Sequence, residues 1–461
     1  MYSKKISDHI ESQRENMLRD IARLIAIPSV RGEAKPGCPF GEMPAKALAE
    51  ALEICRECGF ETVNVDNAIG FADMNSNPTE LGILAHADVV PEGDGWTGDP
   101  YKMEYINGNI IGRGTSDDKG PMVAAIYAMK AVKELGIPLS KNVRMIIGSD
   151  EECGSGDLPY YFSKYETPKY SFSPDAEFPL INIEKGRFAP AFECEVEDEV
   201  IISFDSGIAV NAVPHIATVK LCGVDMVALQ DACDDVAAKT GVSFDVNEEG
   251  DIITLTANGK AAHASLPELG VNALTATLEV IDGLALESPL AKKFSALLKL
   301  YPHGDTRGQG VGVARTDEVS GSLTMSLDIL KYDGKKLCGN IDCRMPVTST
   351  VENTADPVVA RLEEIGMTVT DRHVTAPHHV DEKLPFVQTL LKMYEKHTGN
   401  KGECMAIGGG TYVHNIENGV AFGCVMPDVD THMHGADEFM PFEDLVTSAK
   451  IFADVIVEIC K

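Results

Sequence analysis

The stretch PMVAAIYAMKAVKELGIPLSKNVRMIIGSDEE (residues 121–152) joins a helix pattern to a buried-strand pattern. A proline near its start and a glycine after its apolar run predict a helix over 121–136. The short apolar run Val143–Gly148 predicts a buried strand. Similar runs occur upstream at Leu81–Ala85 and downstream at Tyr170–Ser173. Because strands and a helix alternate in this order, we expect a parallel sheet with helices on its faces.

The pattern of the sequence changes once along the chain and then returns. Residues 187–377 combine alternating strands with a helix near 225–239 and, over 263–284, a turn that runs into a helix, which predicts a separate α+β domain. Residues 1–186 and 378–461 share the first pattern. We therefore predict a discontinuous α/β domain interrupted by an inserted one.

Composition excludes several classes of protein. The 461 residues include 40 Lys and Arg against 71 Asp and Glu, a net charge of −31, which disfavours nucleic acid and anionic membranes as partners. Neither a secretory signal nor an apolar run of roughly 18 residues is found, so we expect a cytoplasmic protein without a membrane span. The 12 scattered cysteines, including Cys55 and Cys58, indicate free thiols rather than a disulfide framework.

Clusters of histidine and carboxylate follow the predicted strands or precede the helix. Each cluster alone is more often a helix cap or a solvated acidic turn. Carboxyl ends of parallel strands meet at one edge of a sheet, however, and converging carboxylates repel one another unless cations neutralise them. The side chains in question are His86, Asp88, Asp117, Asp150, Glu151, Glu152, Asp175, His432 and His434.

A pair of divalent cations would balance this charge. Two ions bring four positive charges, whereas Asp117, Glu152 and Asp175 bring three negative ones and a hydroxide brings a fourth. Oxygen and nitrogen ligands without thiolates suit Zn, Mn or Co. Two ions about 3.5–4 Å apart need a bridging carboxylate and generate hydroxide near neutral pH.

The motifs of the chain, taken in order, resemble a known family. It comprises the dinuclear metallohydrolases that include aminoacylases, desuccinylases, carnosinases and glutamate carboxypeptidases, and the nearest resemblance is to the peptidase V branch of bacterial dipeptidases. The family motifs are LAHADVVP (84–91), GRGTSDDKG (112–120), GSDEE (148–152), SPDAE (173–177), AAHAS (261–265) and MHGADEF (433–439). The motifs that point to the branch are GWTGDPYKME (95–104), NIEKG (182–186) and IGGGTY (407–412).

The resemblance implies the fold and the metal ligands. It implies a phosphorylase/hydrolase-like catalytic domain with a mixed sheet flanked by helices, together with an inserted lid domain. His86 and Asp175 would bind one metal ion. Glu152 and His434 would bind the other, and Asp117 would bridge the two.

The resemblance also implies catalytic roles beside the metals. Glu151 would be the general base, and Asp88 would orient His86. The bond Asp117–Asp118 would be a cis peptide.

Two residues leave alternatives open. His432 could compete with His434 as a ligand, although the match to HGADEF favours His434. Cys153 is expected to have a packing role, and the alternative is a thiol that makes the enzyme sensitive to oxidation.

The lid would contribute to substrate binding. His263 matches a histidine that stabilises the tetrahedral oxyanion. Asn211 and Arg344 match residues that hold the free carboxylate of the substrate, a task that suits the planar fork of arginine. Gly409, in the Gly-rich loop, would offer a backbone amide near the same end. The large lid of the branch implies a monomer.

The resemblance predicts a metal-dependent dipeptidase. Its substrates would be short peptides, including β-Ala-Xaa or D-residue dipeptides, cleaved by a hydroxide bridging two Zn or Mn ions. A related N-acyl amino acid deacylase or desuccinylase is the alternative. An inactive metal-dependent binding protein is disfavoured, because it would need neither Glu151 nor His263. A nucleotide enzyme is disfavoured because AIGGGT (406–411) lacks the GxGxxG pattern and a Walker lysine.

Overall fold

The computed structural model describes residues 2–461, apart from the side chain of Asn415. The chain divides into two compact units. The first unit comprises Met1–Ile183, His379–Met405 and Gly410–Lys461, and the second comprises Glu184–His378 and Ala406–Gly409. The short strands His378–His379 and Cys404–Ile407 contain two of the boundaries.

The first unit is built on a mixed sheet. Its central strand, Thr79–His86, runs parallel to Asn142–Gly148 on one side and to Tyr170–Ser173 on the other. The sheet becomes antiparallel towards its ends. The strand order is Glu61–Val65, Ile69–Asp73, Asn142–Gly148, Thr79–His86, Tyr170–Ser173, Gly419–Ala421 and Leu180–Glu184. Smaller sheets of this unit contain Glu104–Ile106, Asn109–Ile111, Phe439–Pro441, Ala176–Glu177 and Cys424–Val425.

Helices pack on this sheet through apolar faces. The helix Lys119–Glu134 is buried over almost its whole length and packs against Phe442–Cys460. Burial of these faces is the main source of stability, because apolar surface removed from water contributes about 25 cal/mol per Å². The helices of the first unit are Ser3–Ser12, Arg14–Ile25, Glu42–Glu57, Lys119–Glu134, Leu158–Phe162, Pro385–Thr398 and Phe442–Cys460.

The second unit has an antiparallel sheet with its own hydrophobic core. Along the sheet the strands are Ser243–Glu249, Ile252–Asn258, Ile216–Cys222, Ile201–Ser206, Thr324–Tyr332, Lys336–Met345, Gly186–Phe188 and Val374–Thr375. The strand Ala191–Glu195 also pairs with Lys336–Met345, and Thr368–Val369 pairs in turn with Ala191–Glu195. Its helices are Met226–Thr240, Ala273–Gly283, Pro289–Leu300 and Asp356–Glu364. Two-residue strands pair Ala212–Val213 with Ala262–His263 and Thr316–Asp317 with Gly321–Ser322.

The predicted mixed α/β fold class is confirmed, and its elements lie within a few residues of their predicted ends. The helix predicted over 121–136 spans Lys119–Glu134. The turn and helix predicted over 263–284 are present as a 3-10 turn, Pro267–Leu269, followed by the helix Ala273–Gly283. Among residues 2–461, no helix is long and apolar enough to cross a membrane.

Candidate metal centre

The carboxyl ends of the parallel strands bring the predicted ligands together in the first unit. His86 is the last residue of its strand. A 3-10 turn, Glu151–Cys153, follows the next strand, and Asp175 follows the third. Asp117 stands before the helix Lys119–Glu134, and the loop before Phe439–Pro441 contributes His434.

Asp117 lies at the centre of this group, and its two carboxylate oxygens face different histidines. Oδ1 is 3.0 Å from Nε2 of His86, and Oδ2 is 2.8 Å from Nε2 of His434. A second carboxylate stands beside each imidazole. Oδ2 of Asp175 is 3.3 Å from His86 Nε2, and Oε2 of Glu152 is 3.3 Å from His434 Nε2. Asp117 therefore lies between two sets, each made of one imidazole and one carboxylate.

The donors of this group fit a divalent metal. Oδ1 of Asp117 and Oε1 of Glu152 are buried and make no well-aligned hydrogen bond to any described residue. Ligand atoms of His86, Asp117 and Glu152 all lie within 4.8 Å of one another. Buried carboxylate oxygens that lack well-aligned hydrogen bonds are costly unless a cation compensates them.

In the metal-free protein, burial and neighbouring charges shift the pKa values of these side chains. Burial opposes the charge on His86, but close contacts with carboxylates, Asp117 first, raise its pKa well above the usual value. Hydrogen bonds to Asp117 and Glu152 raise the pKa of His434 to about 11. Burial, followed by the charge of Asp117, raises the pKa of Glu152 to about 7 and that of Asp175 to about 6.

Glu151 and Asp88 stand beside the ligands. Burial raises the pKa of Glu151 well above its usual value, although positive charge on His86 opposes the shift. The carboxylate of Asp88 accepts the backbone N–H groups of Glu151 and Glu152, each at 3.2 Å. Nδ1 of His86 lies 3.1 Å from the main-chain oxygen of Asp88 and 3.5 Å from its carboxylate. Asp88 therefore contacts His86 mainly through its backbone, and its carboxylate holds the turn of Glu151.

The structure separates the two histidines of the last motif. The ring of His432 stands edge-on to Phe439, with centroids 5.6 Å apart, whereas His434 reaches Asp117. The peptide bond Asp117–Asp118 is cis, as expected.

The packing role expected for Cys153 is wrong. Its side chain is exposed, and its main-chain oxygen accepts a hydrogen bond from Arg31 at 3.2 Å. The prediction of free thiols is confirmed for all described cysteines.

Sequence reasoning missed a buried ion pair, Arg113–Glu438, that holds the ligand loops. Glu438 accepts hydrogen bonds from the backbone N–H groups of residues 114, 116 and 117. Nη1 of Arg113 donates to Glu438 at 2.6 Å, and Nη2 donates to the main-chain oxygens of Glu92 and Gly435, both at 3.1 Å. Arg113 lies in the motif GRGTSDDKG and Glu438 in MHGADEF, but nothing in the sequence predicts that the two side chains form an ion pair.

The residues predicted to bind substrate lie in the second unit and form a cluster there. The main-chain oxygen of Asn211 accepts the N–H of Ala264 at 2.9 Å, and Nδ1 of His263 lies 2.6 Å from Oγ of Ser265. A Cβ on Gly408 would stand 2.6 Å from Cβ of Ser265, so this close approach requires glycine.

Arg344 reaches the same Gly-rich loop. It donates to the main-chain oxygen of Gly408 at 2.6 Å, next to Gly409, and pairs through Nε and Nη2 with Asp342. Most N–H donors of its guanidinium group therefore already make hydrogen bonds within the second unit. The substrate-binding roles of His263, Asn211, Arg344 and Gly409 stay predictions.

Comparison with known proteins agrees with this geometry. The model of Peptidase family M20/M25/M40 matches residues 82–458. The chain belongs to this peptidase family. The predicted family resemblance is thereby confirmed.

The M20 peptidase is similar to several known proteins along nearly its whole length. It is 36% identical over 463 residues to the Beta-Ala-Xaa dipeptidase of Lactobacillus delbrueckii subsp. lactis, covering 98% of this chain and 97% of that protein. Human carnosine dipeptidase 1 has a similar fold, with a TM-score of 0.58 at 16% identity and 99% coverage of both chains. So has the aminoacylhistidine dipeptidase of Vibrio alginolyticus, with a TM-score of 0.55 at 14% identity and 96% coverage of both.

Proposed function

We propose that this M20 peptidase is a metal-dependent dipeptidase. The observation that carries the proposal is the central position of Asp117, whose two oxygens each face an imidazole with its own carboxylate. This arrangement suits two cations that share one bridging carboxylate. The similarity to a Beta-Ala-Xaa dipeptidase over nearly the full length supports small peptides as substrates.

His86 and Asp175 would hold one cation, and Glu152 and His434 the other. Zn²⁺, Mn²⁺ and Co²⁺ suit a set of nitrogen and oxygen donors without thiolate. When bound, two such ions supply positive charge that polarises a carbonyl group and lowers the pKa of water.

Glu151 would move the protons of the reaction. Burial raises its pKa, which makes its carboxylate a stronger base towards the attacking water. The same proton can then pass to the nitrogen of the leaving amine, which departs as a free amino group. The backbone hydrogen bonds to Asp88 hold this turn in place while the proton moves.

A substrate panel tests the proposal. The protein is stripped with a chelator, and Zn²⁺, Mn²⁺ or Co²⁺ is added back before assay with β-Ala-His, Ala-Ala and N-acetyl and N-succinyl amino acids. We expect hydrolysis of the dipeptides only when metal is present. Cleavage of the N-acyl compounds alone would assign the alternative, a deacylase, and cleavage of dipeptides without metal would contradict the proposal.

The variant Glu151→Ala tests whether Glu151 is the general base. We expect kcat to fall about 10²–10⁴-fold, the usual contribution of a general acid–base, while the bound metal measured by elemental analysis stays unchanged. Glu166→Ala is the control, because this glutamate is exposed. Full activity of Glu151→Ala would remove Glu151 from the mechanism.

A further inference from the structure

Two buried carboxylates hold four consecutive backbone amides after the strand Asn142–Gly148. The amides belong to residues 149–152, the segment that presents the proposed base and one proposed ligand. The first two N–H groups donate to Oδ2 of Asp157 at 2.6 and 3.0 Å, and the last two donate to Asp88. Asp88 was expected near the metals from its motif, whereas no motif points to Asp157.

Tyr412 fixes Asp157. Its hydroxyl donates to the same oxygen of Asp157 that accepts the two amides. Tyr412 is 3% exposed and Asp157 is 0% exposed, so water does not compete for this bond. The ring of Tyr412 also stands edge-on to His86, with centroids 6.0 Å apart and an angle of 85°. Tyr412 thus contacts both a proposed metal ligand and the carboxylate that holds the amides of residues 149 and 150.

Gly148, the last residue of its strand, leaves room for this hydrogen bond because it has no side chain. A Cβ on Gly148 would stand 1.8 Å from the hydroxyl of Tyr412 and 2.2 Å from Oδ2 of Asp157. Gly148 is also the residue that pairs with His86 in the parallel ladder. The bond therefore lies directly against the backbone of both strands that end at the site.

We propose that Asp157 and Tyr412 are positioning residues for the hydrolysis, because their buried hydrogen bond orients the turn that presents Glu151 and Glu152. The inference rests on the proposed function. Neither residue needs to touch substrate or metal. A displacement of about 1 Å in a catalytic group can reduce the rate about 100-fold, so a turn held from both sides is a requirement for turnover.

The variant Tyr412→Phe removes the hydroxyl and keeps the ring against His86. The chain offers a matched control, Tyr127→Phe, because the hydroxyl of Tyr127 donates to the buried Asp20 at 2.7 Å within the same unit. We expect Tyr412→Phe to lower kcat about 10- to 100-fold with KM nearly unchanged. Tyr127→Phe should keep the kcat of the wild type, although it should lose about as much thermal stability as Tyr412→Phe.

Amide hydrogen exchange supplies a readout that does not depend on turnover. With and without added Mn²⁺, residues 149–152 should exchange faster in Tyr412→Phe, and also in Asp157→Asn, than in the wild type or Tyr127→Phe. A kcat no lower than that of Tyr127→Phe, or unchanged exchange in this segment, would overturn the inference. A wild type that hydrolyses no dipeptide would instead refute the proposed function, so the two failures are distinguishable.

Discussion

At the scale of single residues, the burial of carboxylates decides much of the chemistry of this protein. Asp117 is one case, because its oxygens lie among histidines and other carboxylates rather than in water. Asp328 is a case outside the site. It is 0% exposed, its Oδ1 accepts a hydrogen bond from Ser326, and its Oδ2 has no partner among the described residues.

Asp328 makes the stability of the second unit depend on pH. Burial raises its pKa from 3.8 to about 8. Its stabilising effect is therefore complete below pH 4 and is lost as pH rises from 4 to 8, by up to about 1.4 kcal/mol per pH unit. We expect Asp328→Asn to remove this loss, which unfolding by denaturant at several pH values would measure.

The control for Asp328→Asn is Asp251→Asn, on an exposed turn. It should follow the pH curve of the wild type. If Asp328→Asn follows that curve as well, Asp328 does not hold its proton in the folded protein.

At the scale of elements, the buried pair Arg113–Glu438 joins the loop after the strand Asn109–Ile111 to the loop before the strand Phe439–Pro441. The two residues are 325 positions apart in the sequence, and both are almost fully buried. Through backbone bonds they fix Gly435, next to His434, and the amide of Asp117. The pair therefore sets the distance between two proposed ligands.

Removing one partner of this pair should be costly. Arg113→Met leaves Glu438 buried without its counter-charge, so we expect a loss of about 3–5 kcal/mol in the free energy of unfolding, together with weaker metal binding. Denaturant unfolding and a metal titration against a competing chelator would measure the two effects. The exposed pair of Arg361 and Glu364 supplies the control, since Arg361→Met should cost no more than about 1 kcal/mol. Equal losses in the two variants would contradict the role assigned to Arg113.

At the scale of the whole molecule, metal binding should be linked to protons and to stability. In the metal-free protein, the pKa of His86 is raised well above its usual value despite burial, because carboxylates surround it, and hydrogen bonds to Asp117 and Glu152 raise the pKa of His434 to about 11. Metal must displace protons from these histidines, so its affinity should fall as pH is lowered from 8 to 6. Calorimetry in buffers of different ionisation enthalpy would count the protons released.

The same binding should stabilise the folded protein. Free metal at about 100 times its Kd adds about 2.7 kcal/mol by mass action, which a rise in Tm would report. No proton release and no change in Tm with Zn²⁺, Mn²⁺ or Co²⁺ would contradict the metal centre.

Much of this organisation could be predicted from local patterns. Leu81–Ala85 and Val143–Gly148 are apolar over the length of a strand, so burial on both faces follows from their composition. Histidines and carboxylates directly after such strands must lie near one edge of the sheet. The family motifs then suggested a role for each residue, and the structure brings together His86, Asp117 and Glu152.

Local patterns determined the elements, their order and the group of side chains at the strand ends, because periodicity and turn residues act over a few positions. Only the tertiary structure decided how those side chains are held. Tyr412 reaches Asp157 across 255 residues, and the carboxylate of Asp88 accepts backbone amides 63 and 64 residues away. A buried carboxylate takes whichever donors packing brings to it, and packing depends on the whole fold rather than on neighbours in the chain.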